Sequence, residues 1–377
     1  MLEILQTERK LMEAEDSGKM ADVIESSATN QDEKMVDKTL RATKEEVDNA
    51  FEILVRNATE EFGFAPRDVY KGIFHLRKKK LDHAAAANAL NHSDLVTIVR
   101  EFSMDMRLGG FSDRVVTVRP RPGGGDDYSV WEMDFKSIRI AREVAVSMRL
   151  GEDKYLWETY DILRVSPECS PLAGWVFEAI VHRVLSGGQL DGSTPHHIPM
   201  VCNKEEPPLF STDPSSTPDS SLLSPAPLRA HTRDVTRVDF AHGLDNVTLD
   251  YNKYYIPTAT SDPLFDSFTI NQDQDTVVIS IFQITTSPNQ EGSAQGYFFI
   301  RKIMAHVSTL LKDPKPRVKI AYFLVCPEGE SQHKWQMPAG WSRNTGLNSH
   351  QGKVFCLCIP APVRHDTSRL LTPNFAT

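Results

Sequence analysis

The chain has 377 residues, a formal net charge of −9, a pI near 5.8 and 40% apolar residues. This length predicts two cores plus connecting segments, and the apolar share is enough to fill them. The acidic balance excludes a protein coated in basic surface for non-specific nucleic-acid binding, while leaving room for a local basic cleft. Met1–Met20 is charged throughout, with no apolar h-region or small-residue cleavage site, so no ordinary secretory signal is visible. No stretch approaches the roughly 20 apolar residues of a membrane span. A soluble, intracellular protein is the expectation, and five cysteines without framework spacing place it by default in a reducing compartment.

Residues 1–42 are rich in Glu, Asp, Lys, Ser and Asn, the composition of a disordered charged tail. Thr43-Lys44-Glu45-Glu46 has the form of a capping box before the stripe Val47, Ala50, Phe51, Leu54 and Val55, predicting a helix to about Phe62. Two further helices are predicted over Pro66–Leu90 and Ser93–Met106, so 43–110 forms a small N-terminal helical region. Lys78-Lys79-Lys80 reads as a solvated face rather than a phosphate patch. Val115–Pro120 predicts a strand and Pro122–Asp127 a turn. Its triple glycine lacks the Lys-Ser/Thr and helix that make a P-loop.

Phe135–Arg149, Lys154–Val165 and Ala173–Leu185 are predicted helices. The last carries an apolar stripe of Phe177, Ile180, Val181 and Val184, with Glu178 one turn from His182. Residues 203–230 are dense in Pro and Ser and read as a loop or disordered insertion. Strands are then predicted at Val235–Phe240, Val247–Tyr251, Leu264–Ile270 and Thr276–Thr285, a helix at Ser293–Leu311 and a strand at Val318–Val325. The fold class is α+β or α/β, with 111–377 as the main domain. Cys356-Leu357-Cys358 lies in an alternating apolar run and reads as buried strand thiols, not as a zinc motif. His196-His197 and His231, bordering the Pro/Ser-rich stretch, read as isolated loop histidines.

Gln272–Asp275 separates two β runs. An even-numbered hairpin loop there would put Asp266 on the same face as Ile281, Gln283 and Thr285. A carboxylate, an amide and a hydroxyl among Val, Ile and Phe are costly unless paired, solvated or bound to something. One reading is a hard divalent ion held for phosphodiester chemistry. The other has Asp266 bonded to a turn backbone, with Gln283 and Thr285 on a water-facing sheet. Glu178 with His182 is either a further ligand or a surface pair of small worth.

Gly174-Trp175-Val176-Phe177-Glu178-Ala179 with His182 and Leu185, Tyr255 and Pro257, Pro263–Phe268, and Phe282-Gln283-Ile284-Thr285 before a Gly-containing helix form a combined pattern. It resembles the C-terminal domain of Crinkler and retrotransposon-hot-spot type proteins of fungi and other eukaryotes, over about 130–327. The resemblance implies a PD-(D/E)XK nuclease-like domain, with a restriction-endonuclease-like core of helix, mixed β-sheet, helix and strand. It implies Mg2+ held by Glu178, Asp266 and Gln283, with DNA as substrate. The family's usual Lys falls on Thr285, which would shape the site but cannot supply a cation. Lys302 and Lys319 are the candidates to replace it.

Glu61–Asp68 and the helices after it resemble the helical lid of the P-loop ATPase that precedes the nuclease in these proteins. No Gly-x4-Gly-Lys-Ser/Thr is present in the chain, so no nucleotide is expected. The sequence therefore points to a Mg2+-dependent DNA endonuclease-like effector or transposon-derived protein. Its alternatives are a catalytically dead nuclease-fold module with a protein partner, or a fragment of a larger ATPase-nuclease. The resemblance also implies a nuclear or host-cell location.

Overall fold

A computed structural model of the chain describes residues 44–63, 65–103, 112–120, 131–149, 153–187, 195–203, 207–212, 235–238, 249–251, 253–257, 264–273, 276–310, 317–329, 333–339 and 352–361. The predicted tail, the turn at 122–127, His231 and most of the Pro/Ser-rich stretch lie outside the described residues. The chain divides into two compact units. The first holds the residues up to Ala84 together with Lys136–Ile140, and the second holds the rest.

The first unit contains α1 (Lys44–Phe62), α2 (Pro66–Phe74) and the start of α3 (Leu76–Ala89). The single helix predicted over Pro66–Leu90 is broken at His75, whose φ of -138 and ψ of 45 leave the helical region. No Pro or Gly marks the break. It lets both halves close on the buried Phe62: a Cβ at Gly72 would lie 2.3 Å from its ring, and His83 meets that ring edge-on at 5.4 Å. Gly63 ends α1 with φ +83, and an added Cβ would fall 2.1 Å from the Lys136 carbonyl oxygen, so only glycine fits.

Asp68, 1% exposed, binds the ammonium groups of Lys79 and Lys136, each at 2.6 Å. Burial alone would raise its carboxyl; hydrogen bonds and charge from Lys136 and Lys79 outweigh that and hold it below the usual carboxylate range. Glu61 pairs with Lys80 at 3.2 Å and with Arg139. The lysine run is thus not one solvated face. Lys78 is exposed, while its two neighbours are drawn into ion pairs by acids from α1 and α2.

The second unit carries α4 (His92–Ser103), the short α5 (Ser112–Val115), most of α6 (Ile138–Arg149), α7 (Asp153–Arg164) and α8 (Ser170–Leu185). Strands β1 (Val116–Pro120) and β2 (Trp131–Phe135) form an antiparallel pair. The latter replaces the predicted helix start at Phe135: its residues alternate, and Glu132 and Asp134 both reach Arg119 on β1, at 2.7 and 2.9 Å.

Ten further strands form one mixed sheet: β3 (His196–Asn203), β4 (Leu209–Thr212), β5 (Val235–Val238), β6 (Tyr254–Pro257), β7 (Ser267–Asp273), β8 (Thr276–Ile284), β9 (Asn289–Glu291), β10 (Arg317–Pro327), β11 (Lys334–Gln336) and β12 (Gly352–Ile359). Their order is β5-β6-β7-β8-β10-β12-β3-β4-β11-β9. The fold class is therefore mixed α and β, as the sequence indicates. The parallel neighbours β8 and β10 are joined through α9 (Gly296–Leu310), the crossover that parallel pairing requires.

Three expectations are corrected. His196 and His197 are not loop residues but lie on β3, opposite Cys358 and Leu357. Leu209–Thr212, within the predicted loop, is a strand held between β3 and β11. Leu249–Tyr251 is not in a strand, and β6 runs beside β7 instead. Short strands paired with distant partners carry little local signal, because packing rather than propensity sets them.

Period-two alternation gives the sheet two buried faces. Val277, Ile279, Ile281, Ile320, Tyr322 and Leu324 pack with Tyr297, Ile300, Ile303 and Val307 of α9. On the opposite face Phe282, Phe323 and Phe355 stack across β8, β10 and β12 at 5.2 and 5.4 Å. Each such aromatic contributes roughly 1.5–3 kcal/mol by leaving water. Among the described residues no helix is long and apolar enough to cross a membrane.

Candidate functional site

The hairpin between β7 and β8 closes at Asp273 opposite Thr276, leaving a two-residue loop, and runs in register to Ser267 opposite Phe282. One step further, Asp266 meets Gln283. Its Oδ2 accepts the Gln283 Nε2–H at 2.9 Å and the Ile284 amide at 2.6 Å, while its own amide donates to the Phe282 carbonyl at 2.8 Å. The carboxylate thus extends the ladder where β7 has not yet begun. Asp266 bonds the neighbouring strand rather than a turn, and Gln283 and Thr285, at 7% and 8% exposed, do not face open water.

Thr285 is not drawn to Asp266. Its hydroxyl accepts the Ser287 amide at 2.9 Å, and its amide donates to the Val325 carbonyl at 2.9 Å. The threonine therefore shapes the turn leaving β8.

Glu178 lies on α8, against the sheet face that carries Phe282. Its Oε1 is 3.2 Å from His182 Nε2, and His182 Nδ1 is 2.7 Å from the Tyr254 hydroxyl, which donates to Ser267 Oγ at 2.6 Å. His182, Tyr254 and Ser267 are buried. Gln283, next to Phe282 in a strand, belongs to the Ile281 face. The two carboxylates therefore have different partner sets, which meet at the adjacent residues Asp266 and Ser267.

A shallow cleft of about 210 Å3 is lined by Pro171, Gly174, Trp175, Glu178, Ile284, Thr285 and Thr286. It brings Glu178 and Thr285 to one opening. Asp266 and Gln283 are not in its lining, but Ile284, whose amide Asp266 holds, is. The Trp175 wall is fixed by a side-chain hydrogen bond to Asp134. Burial pushes that carboxyl up, by more than Arg119, the Phe135 amide and the Trp175 indole pull it down.

No family model, curated protein or solved structure matches this chain. The site is therefore read from its own geometry. Neither lysine proposed to stand in at Thr285 is placed there. Lys319 is opposite Val278, five residues before Gln283 and so about 16 Å away along a strand. Lys302 sits 4.5 Å over the Phe298 ring on α9. Among the described residues the cleft lining includes no Lys or Arg.

Sequence reasoning found Glu178 with His182 and Asp266 with Gln283, but missed Tyr254 and Ser267. The signal for them is weak: Tyr254 and Tyr255 are alike in type, and only the pairing of Tyr254 with Thr269 sends its ring to the α8 face.

Proposed function

We propose that the second unit is a PD-(D/E)XK-type, Crinkler-like nuclease domain acting on DNA as a Mg2+-dependent phosphodiesterase, with Asp266 and Gln283 as metal ligands; Glu178, whose partners lie on the opposite face of the sheet, stands in the adjoining cleft outside that ligand set. The contact between Asp266 and Gln283 carries this reading, because it sets a carboxylate beside an amide at a strand end next to an acid-bearing cleft. Carboxylate and amide oxygens are the hard donors that suit Mg2+. Such an ion, when bound, polarises a phosphate and lowers the pKa of a bound water. The Ile284 amide and Gln283 Nε2 hold the Asp266 carboxylate in one orientation. Trp175 and Thr286 wall the cleft into which Glu178 opens. No amine stands in that wall among the described residues to orient water, so slow turnover is the expected outcome.

The missing cation and the commitment of the Thr285 hydroxyl to Ser287 favour a second reading, a non-catalytic module that engages a partner through the same cleft. Mn2+ titration of the full chain, run beside supercoiled-plasmid nicking, separates the two. Binding and nicking that both disappear in Asp266→Ala support the enzyme. Binding without nicking supports the module, and no Asp266-dependent binding at millimolar Mn2+ refutes the metal site.

A further inference from the structure

The thiols of β10 and β12 play no part in that reading. Cys326 and Cys358 are cross-strand neighbours, as are Leu324 and Cys356, so the three cysteines share the sheet face that packs on α9. The Cys326 and Cys356 sulfurs are 3.0 Å apart, and the Cys358 sulfur is 3.9 Å from that of Cys356.

His333 precedes β11 and is 2% exposed. Its backbone is pinned from both sides: its amide donates to Thr212 Oγ1 at 3.1 Å, and its carbonyl accepts the Thr212 amide at 3.1 Å. Neither ring nitrogen has a hydrogen-bond partner among the described residues. A ligand nitrogen of His333 and the sulfurs of Cys326 and Cys356 all lie within 4.8 Å of one another. An imidazole buried without partners is costly, and in a folded protein it points to a partner that has yet to be named.

We propose that Cys326, Cys356 and His333, with Cys358 as the fourth ligand, bind a soft divalent ion of the zinc type. Three thiols and an imidazole are a structural zinc set, and sulfur selects against Mg2+. The spacing Cys-x-Cys lacks the usual two-residue gap, but on a strand it puts both side chains on one face. An ion with Zn–S bonds near 2.3 Å holds its sulfurs about 3.8 Å apart in a tetrahedron. Cys356 and Cys358 already stand at 3.9 Å, and Cys326 and Cys356 need to separate by less than about 1 Å. Four protein ligands leave no open position. The ion would tie β10, β12 and the segment before β11 together rather than catalyse.

The test is Co2+ titration of the full chain, purified under reductant and stripped of metal. One equivalent should bind, with thiolate-to-cobalt charge-transfer bands and intense tetrahedral d–d absorption, displaced by Zn2+. Cys356→Ser and His333→Asn should each lose those bands, while Cys169→Ser, a buried cysteine on another element, keeps them. Circular dichroism establishes that each variant is folded, and the wild-type titration decides without any variant. Absence of the bands in the folded, reduced wild type overturns the proposal. So does a Cys326–Cys356 disulfide in protein kept reduced, or an unchanged cobalt spectrum in folded Cys356→Ser and His333→Asn.

Discussion

Replacing Tyr254 by Phe removes one oxygen atom and tests whether the buried relay from Glu178 to Ser267 is structural. The hydroxyl is the 2.7 Å partner of His182 and the 2.6 Å donor to Ser267, and Tyr254 and Ser267 are both 0% exposed. Each buried polar group deprived of a partner costs about 1–3 kcal/mol, so Tyr254→Phe should destabilise by about 2–4 kcal/mol. In a unit of this size that lowers the midpoint by on the order of 5–10 °C. Ser267→Ala removes only the outer bond and should cost less. The double variant should fall short of the sum by about 1–2 kcal/mol, because the unpaired Ser267 hydroxyl is then gone. Urea unfolding of the four proteins gives the cycle. A Tyr254→Phe cost under about 0.5 kcal/mol, or strict additivity, refutes the relay as a cooperative unit.

Asp68→Asn should cost about 3–5 kcal/mol by urea unfolding, since it leaves the Lys79 and Lys136 ammonium groups facing a neutral partner where 12% and 9% of each side chain is exposed. A cost near zero would mean that the pairs are surface-like. His83, held down to about 4 from an ordinary 6.5 by burial and then by Lys79, gives a pH dependence of defined sign. Between those values the unfolded chain binds the proton and the folded one does not. Stability is therefore complete above about pH 6.5 and declines toward pH 4, by at most about 3 kcal/mol. His83→Phe should flatten that slope, and an equally steep slope in the variant assigns it elsewhere. Asp266→Asn keeps an acceptor for the Ile284 amide, while Asp266→Ala does not. Alanine should thus lose about 2–3 kcal/mol in thermal unfolding and asparagine about 1, with Mn2+ affinity lost in both. Intact affinity in Asp266→Asn excludes a metal-binding charge there.

The parts of the site set by local rules were legible. An even-numbered loop and a period of two put Asp266 on the face of Gln283, the two-residue length of the loop makes them direct neighbours, and the spacing on α8 puts Glu178 one turn from His182. The tie from His182 to Tyr254 spans 72 residues and depends on which face of β6 meets α8, which no local pattern encodes. Parity puts Thr285 with Gln283, but Thr285 lies past the end of β8 and lines the Glu178 cleft, its hydroxyl accepting the amide of Ser287, the local competition that Ser and Thr offer near turns. The break at His75 has no sharp local signal for another reason: Gly72 three residues earlier lies within the helix, no Pro stands at the break, and the closing of both halves on Phe62 interrupts the run. Likewise β4 is a strand because β3 and β11 flank it, not because Leu-Phe-Ser-Thr demands one.

Both metal readings sit at the C-terminal ends of the central strands β8 and β10. β8 and β10 pair as far as Ile284 and Val325, and the Thr285 amide extends that ladder by bonding the Val325 carbonyl. Asp266 holds the last amide of β8, and Cys326 follows directly on Val325. A soft ion on Cys326 would therefore stiffen the strand against which Gln283 and Thr285 are aligned, without contributing a ligand to the oxygen site. Donor chemistry keeps the two independent. Thiolates and imidazole discriminate for Zn2+ and Co2+, whereas a carboxylate with an amide oxygen discriminates for Mg2+ and Mn2+. Loss of cobalt binding in Cys356→Ser with Mn2+ binding retained, and the reverse in Asp266→Asn, would place each ion on its own ligands. If one substitution abolishes both, the ends of these strands are a single structural unit, and the division into a hard site and a soft site is wrong.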